Sequence, residues 1–194
     1  MRRVLAWIAA IVSGLVLGAG SAFAVLEMGG ASFGVKYGAW SFNRAAGSEA
    51  AGPYTRAIIA QRALLALSAR EALYFMLEQD EAGRPLEEGC IYDLTGRELD
   101  ARWWSVTLYA DDNFLAQNND HAASIDATHV HAGADGYWRA RVSPVRGDAV
   151  YWLSSRNARR NFSLTLRVYN PQRDFRPAAE TLPTLTLVSC GGAP

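Results

Sequence analysis

The beginning of this chain restricts it most. Val4 to Leu26 is a run of 23 residues without a charge, preceded by Arg2 and Arg3 and closed by Glu27. About 20 apolar residues, rising 1.5 Å each, cross a hydrocarbon core of about 30 Å. The positive flank comes first, so the N-terminus is expected to stay cytoplasmic and everything after the run to be exported. Ala22-Phe23-Ala24 also fits a signal-peptidase site, where cleavage would release the remainder. The run is longer than the ~7–15 apolar residues of a usual signal core. We therefore read residues 1–26 as a retained inner-membrane anchor carrying a periplasmic domain, with secretion after cleavage at Ala24 as the alternative. Gly14 and Gly18 have the spacing of a helix-association face. Small residues are as common in unpaired anchors, so no dimer is read from them.

The exported part, roughly 165 residues, is long enough for one domain with a substantial core. Residues 27–52 carry Gly29, Gly30, Gly34, Gly38, Gly47 and Gly52, which implies a linker, with a short strand around Trp40. Residues 53–194 are then the domain proper. Basic and acidic residues balance at 19 each, which leaves no electrostatic footprint for nucleic acid. Eighteen arginines against the single Lys36 read as the codon bias of a GC-rich bacterial genome. The two cysteines, Cys90 and Cys190, would favour metal or redox chemistry in a cytosol. In an oxidising periplasm they favour a disulfide. The first and last strands of a sandwich lie near each other when domain termini do, which makes this pairing geometrically reasonable.

Pro53 suits the first turn of a helix running through Arg56, Ile59, Ala63 and Leu65 to about Leu67. Ser68-Ala69-Arg70-Glu71 has capping-box spacing. The aromatic stretch from Ala72 to Gln79 reads as a strand that ends at the turn-like Asp80-Glu81-Ala82-Gly83. From Cys90 onward, apolar and polar residues alternate in several short runs. Trp104, Val106 and Leu108 alternate with Trp103, Ser105, Thr107 and Tyr109; Phe162, Leu164, Leu166 and Val168 alternate with Ser163, Thr165, Arg167 and Tyr169. Further strands cover Tyr137–Val142 and Thr184–Cys190, with turn residues such as Asp135-Gly136 and Arg146-Gly147-Asp148 between them. The pattern predicts a mainly β domain: a two-sheet antiparallel sandwich, jelly-roll-like, with one helix packed outside.

The run Tyr92, Asp93, Gly96, Leu99 and Trp104-Ser105-Val106-Thr107-Leu108-Tyr109 resembles the bacterial family called domain of unknown function 1214. So do Asn118, Asp135-Gly136, Trp152-Leu153 and Leu166-Arg167-Val168-Tyr169-Asn170-Pro171. The resemblance covers residues 53 to 190 and implies a jelly-roll-like sandwich in an exported or membrane-anchored protein. Members often form the C-terminal half of larger proteins carrying domain of unknown function 1254, and this chain is read as lacking that companion. Tyr151 stands where an Asn often precedes Trp-Leu, and Ser154 replaces a Pro. The family implies no catalytic residues, and none is assigned.

His129-Val130-His131 is the one metal-like signal, since residues two apart on a strand share a face and imidazoles ligate zinc, copper and iron. A catalytic site needs about three protein ligands. Here only Asp135, four residues on, and His121, upstream, are at hand. We expect no metal and no cofactor. A Gly-x-Ser-x-Gly elbow and a phosphate-binding glycine loop are absent from the sequence, so a non-catalytic protein is expected. The polar faces are the better candidates. If the strands bearing Trp103 with Tyr109 and Arg167 with Tyr169 are neighbours, aromatic and guanidinium groups share one surface suited to sugars or planar anions. The sequence thus predicts an envelope protein that binds a small molecule or a protein partner. Its rivals are a metal-assisted enzyme using His129 and His131, and a structural module acting beside a larger partner.

Overall fold

The protein was analysed as a computed structural model that describes residues 2–29, 34–43, 46–48, 51–61 and 67–191. Helix α1 (Arg2–Gly29) contains the uncharged run. Its segment Arg2–Val25 has a mean hydropathy of 2.1, and none of its most apolar stretch is buried within the protein. It is long and apolar enough to cross a membrane or to serve as a signal sequence.

The rest is mainly β. Strands β1 (Val35–Tyr37), β2 (Trp40–Phe42), β3 (Ala72–Leu77), β4 (Cys90–Gly96), β5 (Ala101–Tyr109), β6 (Ser124–Asp126), β7 (Trp138–Ser143), β8 (Tyr151–Ser154), β9 (Ser163–Pro171) and β10 (Thr184–Cys190) make two sheets. One runs β1-β2-β3-β9-β5-β6 and the other β10-β4-β7-β8. All pairings are antiparallel except β7 with β8, which is parallel, so the smaller sheet is mixed where the alternation pattern predicted antiparallel pairing throughout. Side-chain alternation carries no information about strand direction, which is set by the connection.

The sheets meet through their apolar faces. Trp104 of β5 stacks on Trp138 of β7, with centroids 4.9 Å apart and planes 18° apart, and Tyr92 of β4 meets Phe162 edge-on at 6.1 Å. Leu94, Val106, Leu108, Val142, Leu164 and Leu166 are fully buried between them. Gly96 belongs to this packing: it pairs with Trp138, and a Cβ there would fall inside the indole ring.

Three local expectations change. The segment read as a linker contributes β1 and β2, and Trp40 and Phe42 lie in the core, where the Trp40 indole N–H donates to the Pro183 carbonyl. The strand expected around Trp40 is β2, and β1 joins it across Gly38; three residues are too few for β1 to show a period. Helix α2 (Pro53–Gln61) is described as far as Gln61; Ala63 and Leu65 lie outside the described residues. Among the described elements, α2 approaches α1 and not the sheets. Ser68 and Glu71 form only half of the capping box: the Glu71 carboxylate accepts from the Ser68 backbone N–H at 3.3 Å and from its hydroxyl at 2.8 Å, while the Glu71 N–H donates to the Ser68 backbone carbonyl and not to its side chain. It closes a turn into β3 and starts no helix.

Candidate functional site

Strands β5 and β9 are neighbours, in a register that places Trp103 opposite Tyr169, Ser105 opposite Arg167, Thr107 opposite Thr165 and Tyr109 opposite Ser163. Since Trp104 and Val168 face the core, these eight residues share the opposite face of the six-stranded sheet. The Trp103 and Tyr169 rings lie 5.3 Å apart at 52°, and the Trp103 indole N–H donates to Thr128 Oγ1 at 2.9 Å. The Arg167 guanidinium donates from Nη1 to Thr107 Oγ1 at 3.1 Å and from Nη2 to Tyr109 Oη at 2.6 Å. Its carbon lies 5.5 Å from the Tyr109 ring centroid, within cation–π range.

The charge balance around Arg167 differs from that of the arginines on β7 in the other sheet. Arg139 is paired with Asp135 at 2.6 Å, and Arg141 with Asp148 at 3.1 Å and Asp93 at 3.4 Å. Among the described residues no carboxylate lies within ion-pair distance of Arg167. Of its five N–H donors, the two that are engaged go to neutral hydroxyls. Beneath the long side chains, Ser105, Thr107, Ser163 and Thr165 are buried, although alternation alone would have left them open to solvent.

His129 and His131 do not share a strand face. They fall in the turn after β6 and are both exposed, while Val130 between them is buried. His129 Nδ1 lies 3.0 Å from Asp126 Oδ1. Burial pushes the Asp126 carboxyl up, but hydrogen bonds from the Thr128 backbone and from His129 outweigh it and hold the group below the usual carboxylate value. His131 is held through its backbone N–H, which donates to Tyr151 Oη at 3.2 Å. His121 and His129 line a shallow cavity of about 400 Å3 with Asp120 and Asp126. Among the described residues no three His, Cys, Asp or Glu groups converge as a metal site.

Asp120 had no motif around it, because its partners are 34 and 36 residues away. It accepts from Ser154 Oγ at 2.6 Å and from Arg156 Nε at 2.9 Å, and these bonds, led by that from Ser154, hold its carboxyl below the usual value. It latches the loop before β6 to the end of β8. Glu88 is a second structural anion that sequence did not reveal. Its two oxygens accept from the backbone N–H groups of Asn157 and Arg159 at 2.8 and 2.9 Å, both residues having positive φ. Such a concavity of N–H groups is an anion site that here is filled by the protein itself.

Cys90 and Cys190 are joined, their Cα atoms 4.0 Å apart and directly paired between β4 and β10. The reason is topological: the strand that opens the smaller sheet and the one that ends the described chain are antiparallel neighbours.

Two β-sheets packed face to face behind an apolar N-terminal helix define an anchored or exported sandwich protein as the class. The chain belongs to the family described as "Protein of unknown function (DUF1214)", whose model matches residues 71–173, just over half of it. Among solved structures it is similar to the VPA0106 protein from Vibrio parahaemolyticus, at 23% identity and a TM-score of 0.56, over 64% of this chain and 32% of that one. A putative uncharacterized protein from Burkholderia cenocepacia matches at 16% identity and a TM-score of 0.46, over 94% of this chain and 43% of that one. The chain thus spans less than half the length of either. The first likeness concerns the fold alone. No curated protein matches.

Proposed function

We propose that this is a non-catalytic binding protein of the bacterial cell envelope, anchored in the inner membrane by residues 4–26. Its sandwich, residues 34–191, stands in the periplasm and takes an acidic sugar or planar carboxylate on the face bearing Arg167. The observation that carries this reading is the half-buried Arg167 guanidinium, oriented by Thr107 and Tyr109 and left without a carboxylate among the described residues. A guanidinium fixed by neutral hydroxyls keeps its charge and a fork of donors for a bidentate anion. Trp103 and Tyr169 add the apolar ring faces on which a sugar or planar ligand stacks. The joined cysteines support an oxidising compartment.

The test is binding of the purified full chain to an array of acidic and neutral glycans and aromatic carboxylates. Arg167→Ala should weaken binding of the best ligand roughly 10- to 100-fold, as loss of a charge-assisted hydrogen bond of about 1.5–3 kcal/mol requires. Arg167→Lys should recover only part of it, because the ammonium lacks the planar fork. Equal binding by wild type and Arg167→Ala would refute the site.

A further inference from the structure

A cavity of about 660 Å3 is lined by the apolar side chains of Phe42, Leu73 and Phe175 and by Arg70 and Arg173. This volume lies within the ~300–1,000 Å3 of small-molecule sites, which are mostly apolar with a few polar groups. Both arginines are exposed, and no described carboxylate pairs with either. The acid beside Arg70, Glu71, is already engaged by Ser68. The loop holding Arg173 is fixed by Arg176, whose Nη1 donates to the Arg173 and Phe175 carbonyls at 3.3 and 3.1 Å.

Two paths of the chain tie this cavity to α1. Phe42 pairs with Val35 at the mouth of the β1–β2 hairpin, and Val35 is six residues past Gly29, the end of α1. Six residues reach at most about 20 Å. Ala69 and Arg70, also in the wall, follow α2, the element that approaches α1. The cavity lining thus belongs to segments that follow α1 and α2 closely in sequence.

We propose that this cavity binds one long-chain fatty acid, its carboxylate on Arg70 and Arg173 and its acyl chain along Phe42, Leu73 and Phe175. The membrane reading of α1 names where the ligand comes from; the binding itself rests on the cavity alone and is independent of the Arg167 face.

The experiment uses the full chain in phosphatidylcholine nanodiscs with a diazirine-bearing palmitate, followed by peptide mapping of the crosslinks. Label is expected in the peptides around Leu73 and Phe175. It should fall about tenfold or more in the double variant Arg70→Ala/Arg173→Ala, both exposed positions outside the core, and unlabelled palmitate should displace it. Label confined to α1, or unchanged in the double variant, overturns the proposal. A diazirine-bearing alkanol that labels the same peptides equally well overturns the anionic head. Displacement by phosphatidylglycerol as effective as by palmitate overturns the single-chain assignment.

Discussion

Asp80 has only 3% of its surface exposed, yet it is charged, because its oxygens accept from the Ala82 and Arg84 backbone N–H groups and from Arg84 Nε, at 2.8–2.9 Å. Burial raises its pKa, but these bonds and the Arg84 charge together hold it below the usual carboxylate value. A carboxyl whose folded value lies below its unfolded value of about 3.9 adds stability that is complete above that pH. The contribution is lost as pH falls through the lower folded value. Asp80→Asn should therefore cost about 1–3 kcal/mol at pH 7, with the two melting temperatures converging as the pH is lowered through the folded value. A constant gap across the titration would show that the charge does not matter. Gly96 makes the second residue-scale case. Gly96→Ala must displace the Trp138 ring from its stack on Trp104, and overpacking of this kind costs about 1–3 kcal/mol. The near-ultraviolet circular dichroism of the tryptophan pair should change along with the melting temperature. Nothing in the sequence marked Gly96 apart from its family-like position, because the ring that needs the space is 42 residues away.

At the scale of elements, the long strands were legible from their period, and of the three- and four-residue ones only that around Trp40 was expected. β5 and β9 each present nine residues of alternating character, enough to reveal a period of two. β6 and β8 have three and four residues, too few for any period, and they are held by pairing with β5 and β7. The Cys90–Cys190 bridge belongs to this scale too, since it staples the ends of two neighbouring strands across a sequence separation of 100. Loop entropy for such a span gives an upper figure of about 4.7 kcal/mol, and native bridges usually deliver about 2–4. Cys190→Ser should lower the denaturant midpoint by a corresponding amount, and unreduced protein should show no thiol that reacts with alkylating reagents. Two reactive thiols in protein expressed in the periplasm would contradict the bridge.

For the whole molecule, α1 is apolar enough to be a membrane anchor or a signal sequence, and the compartment is tested through it. A periplasm-dependent reporter fused after residue 30 should be active, and an inactive but well-expressed fusion would reverse the topology. N-terminal sequencing then separates the two forms: Met1 or Arg2 indicates an anchor, Val25 a cleaved signal. What sequence alone determined is what depends on neighbours along the chain: the apolar run, the alternating strands, the mainly β class and the local Ser68–Glu71 contact. Hydrophobic period and turn chemistry are local, so they can be read locally. The tertiary structure alone decided that β5 lies beside β9, which unites Trp103, Tyr109, Arg167 and Tyr169 on one face. It also decided that β8 runs parallel to β7, that the glycine-rich segment yields core strands, and that His129 and His131 sit in a turn. These depend on segments that meet from 11 residues apart, at β7 and β8, to 143 apart, at Trp40 and Pro183. That choice is made by packing one apolar face against another, and no single segment carries it.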